Sequence, residues 1–442
     1  MTLLYNAAFL VFGFFYLPFF IVKAGRAENP RQLLSQRLGF FSRAWKQQFI
    51  GKKIIWIHAV SVGEVLAASQ LIPECVRRFT DHHFVLTTVT PTGQKMARKL
   101  EGKHVTACYF PFDFTFAVRN FMKALGPECL LLMETELWPN LLVEARRAHV
   151  PVFILNGRLS EKSFRRYKRV LPLLKGLFEK LDFVMTQTAD DLRRFAALGV
   201  PEDRLMALGN MKFDNIPLED TATELLSRSL RKEWGFQADD LIWVAGSTHP
   251  GEEKIVADVF TDLRASHPAL KLVLAPRHIE RSRSLKKWLE RRKFRVRLAS
   301  ESRAAGEFDV LLVDCLGVLK NLYAMAEVVF VGGTFGKRGG QNPIEPAGFR
   351  RAIVHGPNFL NFLSVYNQLD GEGGAINVRD SVQLDFAVRR LLNHPSERVE
   401  LGNNAFKTVK NLQGATERHL SWLAGFLKTK SQPERIQYVH AV

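Results

Sequence analysis

Ten short runs rich in Val, Ile, Leu and Phe, spaced by longer amphipathic stretches, constrain this chain more than any other feature. The first five occupy residues 54–60 (IIWIHAV), 83–89 (HFVLTTV), 129–135 (CLLLMET), 151–156 (PVFILN) and 183–188 (FVMTQT). The second five occupy 241–247 (LIWVAGS), 271–277 (KLVLAPR), 309–314 (DVLLVD), 328–334 (VVFVGGT) and 352–356 (AIVHG). Strands that are apolar along their length have no wet face, so they belong in parallel sheets covered by helices on both sides. The polar stretch NIPLEDTATE at 215–224 separates the two series and reads as a linker. The expected fold class is α/β, with two doubly wound Rossmann-like domains at 31–214 and 225–420, a leading segment 1–30 and a tail 421–442. In such sheets ligands gather at the carboxyl ends of the strands, where helices begin.

Residues 3–22, LLYNAAFLVFGFFYLPFFIV, carry no charge. Twenty residues at helical rise span about 30 Å, the hydrocarbon thickness of a bilayer. A cleaved signal peptide would carry its cations before the apolar run, whereas here Lys23, Arg26, Arg31 and Arg37 follow it. The run is therefore expected to be an N-terminal membrane anchor helix, with its start outside and the rest of the chain cytoplasmic. Asn6 and Pro18 weaken it and leave shallow, interfacial insertion as the alternative.

The net charge of +18 is concentrated. Residues 23–53 contribute +7, residues 158–180 +6 and residues 276–303 +8, and the remainder is slightly acidic. Such an excess selects acidic partners: nucleic acid, anionic lipid or a phosphorylated substrate. Three basic segments on a nearly neutral body argue against a nucleic-acid coat. The four cysteines, Cys75, Cys108, Cys129 and Cys315, lie far apart with no zinc-type spacing, and are expected to be buried, reduced thiols.

Several strand-end segments carry chemistry. Ser61-Val62-Gly63-Glu64 follows the first strand and reads either as a helix capping box or as a general-base carboxylate at a strand end. Glu134 and Glu136 in METELWPN end another strand, two apart and so on one side, where arginines of the 158–169 run are their alternative, structural partners. Lys212, in GNMKFD, is either a solvated lysine or a neutraliser of phosphate or carboxylate. Ser247 and Thr248 open STHPGEE, a strand-to-helix turn whose hydroxyl and backbone N–H groups suit an anion. That turn lacks both the P-loop lysine and the G-x-G-x-x-G spacing, so ATPase and dinucleotide readings lose support. Pro276-Arg277-His278 ends a strand with a guanidinium able to grip phosphate. The run GGTFGKRGGQNPIEP (332–346) permits close backbone approach at its glycines, Gly333 among them, before Asn342, Pro343 and Glu345 open a helix.

Together these segments resemble the 3-deoxy-D-manno-octulosonic acid (Kdo) transferases of lipopolysaccharide assembly. The resemblance rests on WIHAVSVGE, METELWP, NGRLSEKS, GNMKFD, STHPGEE, PRH and GGxxxxxGGQNPIEP in family order, from the apolar run through about residue 365. It implies a GT-B glycosyltransferase, two domains facing across a cleft, that transfers Kdo from CMP-Kdo to a lipid A precursor on the cytoplasmic side of the bacterial inner membrane. By position, Glu64 matches the proton acceptor, and Glu134 and Lys212 match residues assisting the transition state. Donor contacts would come from Ser247, Thr248, Pro276, Arg277, His278, Leu316, Gly317, Val318, Gly333, Asn342, Pro343, Ile344 and Glu345. Acceptor contacts would come from Glu136, Arg158 and Ser160. The resemblance implies no cofactor and no metal; the expected partners are CMP-Kdo, the phosphorylated lipid A precursor and anionic membrane lipid, and not nucleic acid.

Two positions depart from the pattern. The family usually reads Met-Gly-Glu-Leu where this chain has Leu316-Gly317-Val318-Leu319, so any side-chain contact from that Glu is lost. It also commonly has His where this chain has Gln341. The alternative is another membrane-associated GT-B enzyme using a different nucleotide sugar, such as a UDP- or GDP-sugar; competition by CMP but not UDP separates the two. A membrane-anchored scaffold or nucleic-acid binder would instead show steep salt-dependent affinity for nucleic acid and bind no sugar nucleotide.

Overall fold

The computed structural model describes residues 5–6, 29–215, 220–301 and 306–430. The chain divides into two compact units, Met1–Asp214 with Gln413–Val442, and Asn215–Leu412.

The first unit is built on seven parallel strands: β1 (Lys53–His58), β2 (His82–Thr88), β3 (Val105–Tyr109), β4 (Cys129–Met133), β5 (Val152–Gly157), β6 (Phe183–Thr186) and β7 (Leu205–Ala207), in the order β3-β2-β1-β4-β5-β6-β7. Successive residues of a strand point to opposite faces, and here both faces are apolar. Ile54, Trp56, Leu130 and Ile154 enter one core, while Ile55, Ile57, Leu131 and Phe153 enter the other. That two-sided burial is why these strands read as continuous apolar runs.

The second unit repeats the plan with β8 (Leu241–Thr248), β9 (Leu270–Pro276), β10 (Val296–Leu298), β11 (Val310–Leu312), β12 (Val328–Val331), β13 (Ala352–His355) and β14 (Ala375–Asn377), in the order β10-β11-β9-β8-β12-β13-β14. The four strands that hydropathy did not reveal, β3, β7, β10 and β14, are the four sheet edges. An edge strand is paired on one side only and is commonly short. Three of these four have three residues, and β10 has no fully buried one.

Two boundaries differ from expectation. The helix Ala415–Lys430 belongs to the first unit, so the second domain ends at Leu412 rather than at 420, and residues 421–430, expected in the tail, continue this helix. Phe153 and Phe183 supply the reason: the Trp422 ring lies 5.0 and 4.5 Å from theirs, covering apolar surface on that face of the sheet. Asp214 pins the start of this helix, accepting from the N–H groups of Gly414 and Thr416, both at 2.6 Å. The expected linker 215–224 gives way to the helix Asp220–Trp234, and its residues 216–219 lie outside the described residues.

Of the apolar run 3–22, only Tyr5 and Asn6 are among the described residues. Asn6 is bonded to the first unit itself, donating to Thr115 Oγ1 at 2.9 Å and accepting from Asn140 Nδ2 at 2.7 Å. No described helix is long and apolar enough to cross a membrane. Arg37 is not a surface cation: it is 4% exposed, and its guanidinium donates to the carbonyls of Phe110 and Val89. All four cysteines are free; Cys315 alone is half-buried.

Candidate active site

The first unit collects its candidate residues at the carboxyl ends of β1, β4, β5 and β7. Ser61 sits at the N-cap of the helix Val62–Arg78 in extended conformation, yet its hydroxyl caps no helical N–H. It donates instead to Glu64 Oε1 at 2.9 Å, while Val60 N–H donates to Oε2 at 2.5 Å. The expected capping box is not made: Glu64 reaches back past the N-cap residue to the Val60 N–H, and the residue is 6% exposed. Burial pushes it up from 4.5 to about 7; the Val60 and Ser61 bonds and the Lys212 charge oppose that, and the Glu134 charge adds to it.

Glu134 follows β4 in the left-handed region at φ +59, a strained conformation for a side chain of its size. Its partner is Lys212, whose Nζ lies 2.7 Å from Oε1, and not an arginine of the 158–169 run. Both groups are partly exposed, at 21% and 28%. Glu136 is raised to about 8, first by burial and then by the charge on Glu64. The three carboxyls thus differ: one is paired with a cation, and the other two are raised by burial, to about 7 and about 8.

Arg158 and Ser160 follow β5. The Arg158 carbonyl accepts the Thr135 hydroxyl at 2.5 Å, tying this loop to the one that carries Glu134 and Glu136. Ser160 is the N-cap of the helix Glu161–Arg169, its hydroxyl accepting from Ser163 N–H at 3.2 Å. This acceptor candidate therefore has a structural task of its own.

Sequence reasoning assigned no role to the residues that hold Lys212. Asn156, buried in β5 at φ +56, accepts the Met211 N–H at 3.0 Å, and its own N–H donates to His419 Nε2 at 3.1 Å. Burial lowers His419 to about 4, keeping it neutral and able to accept. The helix Ala415–Lys430 thus supports the turn that aims Lys212. An Asn inside an apolar strand was the only signal of this arrangement, since Asn tolerates the left-handed region.

In the second unit the donor candidates share the carboxyl edge of the sheet. Ser247, at φ +55, and Thr248 end β8. Pro276 ends β9, and the Arg277 N–H donates to the Thr248 carbonyl at 2.9 Å, joining those two ends, with His278 next along the chain. The exposed Leu316, Gly317 at φ +89, and Val318 form the turn before the helix Leu319–Leu322. Gly333 is held at φ +73, where a Cβ would be strained and would lie 3.2 Å from Gln341 and 3.4 Å from His249. Asn342 accepts the Ile344 N–H at 3.0 Å and donates to Glu345 Oε1 at 3.2 Å, with Pro343 between them and Ile344 buried. Burial raises Glu345, while Lys320, Asn342 and Arg277 counter it. These groups can present a guanidinium, amide and hydroxyl donors and a half-buried carboxyl to a polar, anionic ligand. Among the described residues, no cluster of three or more His, Cys, Asp or Glu is arranged to hold a metal.

Much of the third basic block is paired internally. Arg281 pairs with Glu253 at 2.6 Å, Lys286 with Glu301 at 2.8 Å, Arg292 with Asp258 at 2.6 Å and Arg295 with Asp309 at 2.9 Å.

Two seven-stranded parallel units, each with chemistry at its carboxyl edge, define a GT-B-type α/β fold. Solved structures share it: a UDP-GlcNAc 2-epimerase from Neisseria meningitidis covers 84% of this chain and all of its own, with a TM-score of 0.58 and 13% identity. A glycosyltransferase from Rickettsia africae covers 86% of this chain and 99% of its own, with a TM-score of 0.57 and 10% identity. Residues 32–215 match the family 3-Deoxy-D-manno-octulosonic-acid transferase (kdotransferase). The 3-deoxy-D-manno-octulosonic acid transferase of Haemophilus influenzae is 34% identical over 407 residues, 91% of this chain and 93% of its own. That of Bordetella pertussis is 31% identical over 388 residues, 84% of this chain and 87% of its own. The chain belongs to the Kdo transferase family and is a glycosyltransferase.

Proposed function

We propose that the enzyme transfers Kdo from CMP-Kdo to a phosphorylated lipid A precursor in lipopolysaccharide biosynthesis, with Glu64 as the general base that activates the acceptor hydroxyl. The observation that carries this reading is the 34% identity to the Haemophilus influenzae transferase over nine-tenths of the chain. The first unit adds a carboxyl with the right protonation behaviour. Attack on the anomeric carbon builds positive charge on the sugar ring while CMP leaves as an anion. The base must be ionised yet basic enough to take a hydroxyl proton, and a carboxyl near 7 meets both demands. Glu134, paired with Lys212 at 2.7 Å, would face the developing positive charge. Arg277 and the Asn342–Glu345 turn of the second unit would grip the nucleotide. Glu136, Arg158 and the cationic helix Glu161–Arg169 would receive the acceptor and its phosphates.

The test is incubation with CMP-Kdo and a tetraacylated, bisphosphorylated lipid A precursor, with mass spectrometry of the product. A mass gain of one or more Kdo units is expected, inhibited by CMP and not by UDP. No gain from folded enzyme refutes the reading.

The enzyme is proposed to work at the cytoplasmic face of the inner membrane, held there by residues 3–22 and by the cations that follow. Two insertions of that run are open, a full span and a shallow, interfacial one. Support for the second comes from Asn6, bonded to Thr115 and Asn140 of the catalytic unit, because the start of a spanning anchor would lie across the bilayer. A single cysteine introduced at Thr2 of a cysteine-free variant should be labelled from the cytoplasmic side only. Labelling from the far side supports the span.

A further inference from the structure

The backbone N–H groups of the glycine loop after β12 are already taken. Gly333 N–H donates to Glu252 Oε2 at 2.7 Å, and Thr334 and Phe335 N–H donate to Oε1 at 2.9 and 3.0 Å. A fourth donor, His249 N–H, reaches Oε2 at 2.8 Å from the turn after β8. Glu252 is 3% exposed, and these four donors fill both of its oxygens. Three successive N–H groups around an anion form a backbone nest of the kind that elsewhere binds phosphate; here the anion is a side chain of the same unit.

The neighbouring carboxylate makes a parallel link. Glu253, 2% exposed, takes the Arg281 guanidinium at 2.6 Å and so ties the start of the helix Glu252–Ser266 to the segment after β9. The ends of β8, β9 and β12 are joined through two adjacent acids. No room is left for alternatives at the contact: a Cβ on Gly332 would lie 2.7 Å from the Ser247 carbonyl oxygen and the Thr248 Cα.

We propose that Glu252 is a positioning residue for the sugar-nucleotide donor: as an internal anion it holds the 332–335 loop and the 247–249 turn in their binding geometry before the donor arrives. This rests on the reading of that edge as the donor site. The donor then meets a preformed surface and does not have to order the loop itself, which lowers the cost of binding. The donor's phosphate must be held by other groups, because the nest is full.

The substitution Glu252→Gln keeps size and shape but turns an amide NH2 toward at least one pair of backbone N–H donors. Donor KM should rise tenfold or more, while acceptor KM, and kcat at saturating donor, change less than threefold. Glu327→Gln is the control: Glu327 accepts the Ile242 N–H and pairs with Arg231 at 2.9 Å at the opposite end of β8 and β12. It should lose stability without a change in donor KM. An unchanged donor KM in Glu252→Gln, or an equal rise in Glu327→Gln, overturns the proposal. If Glu252→Gln does not fold, hydrogen exchange on the wild-type enzyme decides. The amides of Gly333, Thr334 and Phe335 should be protected without donor, and fast exchange there until CMP is added overturns it. Wild-type enzyme that transfers no Kdo refutes the functional reading instead, so the two failures are distinct.

Discussion

Replacing Glu64 with Gln separates what this residue does for catalysis from what it costs the fold. Its carboxyl stands at about 7 against an ordinary 4.5, mainly through burial, which corresponds to about 3 kcal/mol held against the charged form. For a group raised on folding, the favourable contribution is complete below the unfolded value and disappears as pH rises through the folded one. Between pH 4.5 and 7, Glu64 therefore withdraws stability, and at pH 8 the charged carboxylate is a net burden. Gln keeps both bonds, accepting from Val60 N–H and facing the Ser61 hydroxyl, without the charge. Transfer should fall by about 10²–10⁴-fold. Urea denaturation at pH 8 should show Glu64→Gln more stable than wild type by up to about 3 kcal/mol, with the difference vanishing near pH 4. The wild-type rate should climb with pH to a plateau, with a midpoint near 7 and about a tenth of the maximum at pH 6. Near-normal transfer by folded Glu64→Gln, or a wild-type midpoint near 4.5, would refute the argument.

Three further outcomes follow from the same geometry. Lys212→Ala removes a charge that lowers Glu64, so the pH–rate midpoint should move up and kcat fall by about 10²-fold, read from initial rates across pH 5.5–9. Asn156→Ala deprives the Met211 N–H of its acceptor at a left-handed position; kcat should drop more than either KM, with about 2 kcal/mol lost in denaturant melts. Trp422→Ala should destabilise the first unit by about 3 kcal/mol, since that ring covers Phe153 and Phe183, and limited proteolysis should cut the first unit before the second.

The central strands were legible because burial on both faces leaves an unbroken apolar run, which is a local property of the chain. Residues 54–60 and 241–247 could hardly be anything else. The edge strands were not, because a strand such as Val296–Leu298 is defined by its neighbour and buries no residue fully. The candidate residues were legible as strand-end motifs, and each lies at the carboxyl edge of its own sheet. Their pairing was not. A lysine 78 positions from its acid leaves no trace in spacing, so Lys212 read equally well as a solvated cation.

The basic excess shows the same division. Arg37, Arg281, Arg292 and Arg295 enter the sequence total as free cations, yet each is bonded inside the fold.

By itself, then, the sequence determined two parallel α/β units and the loops where chemistry gathers, because hydropathy and strand-end turns act over a few residues. Only tertiary structure decided that the helix Ala415–Lys430 returns to the first unit, that Lys212 faces Glu134, and that Glu252 fills the glycine loop. Those contacts join segments distant along the chain, and whether a charge is catalytic, structural or spare depends on what the fold brings within 3 Å of it.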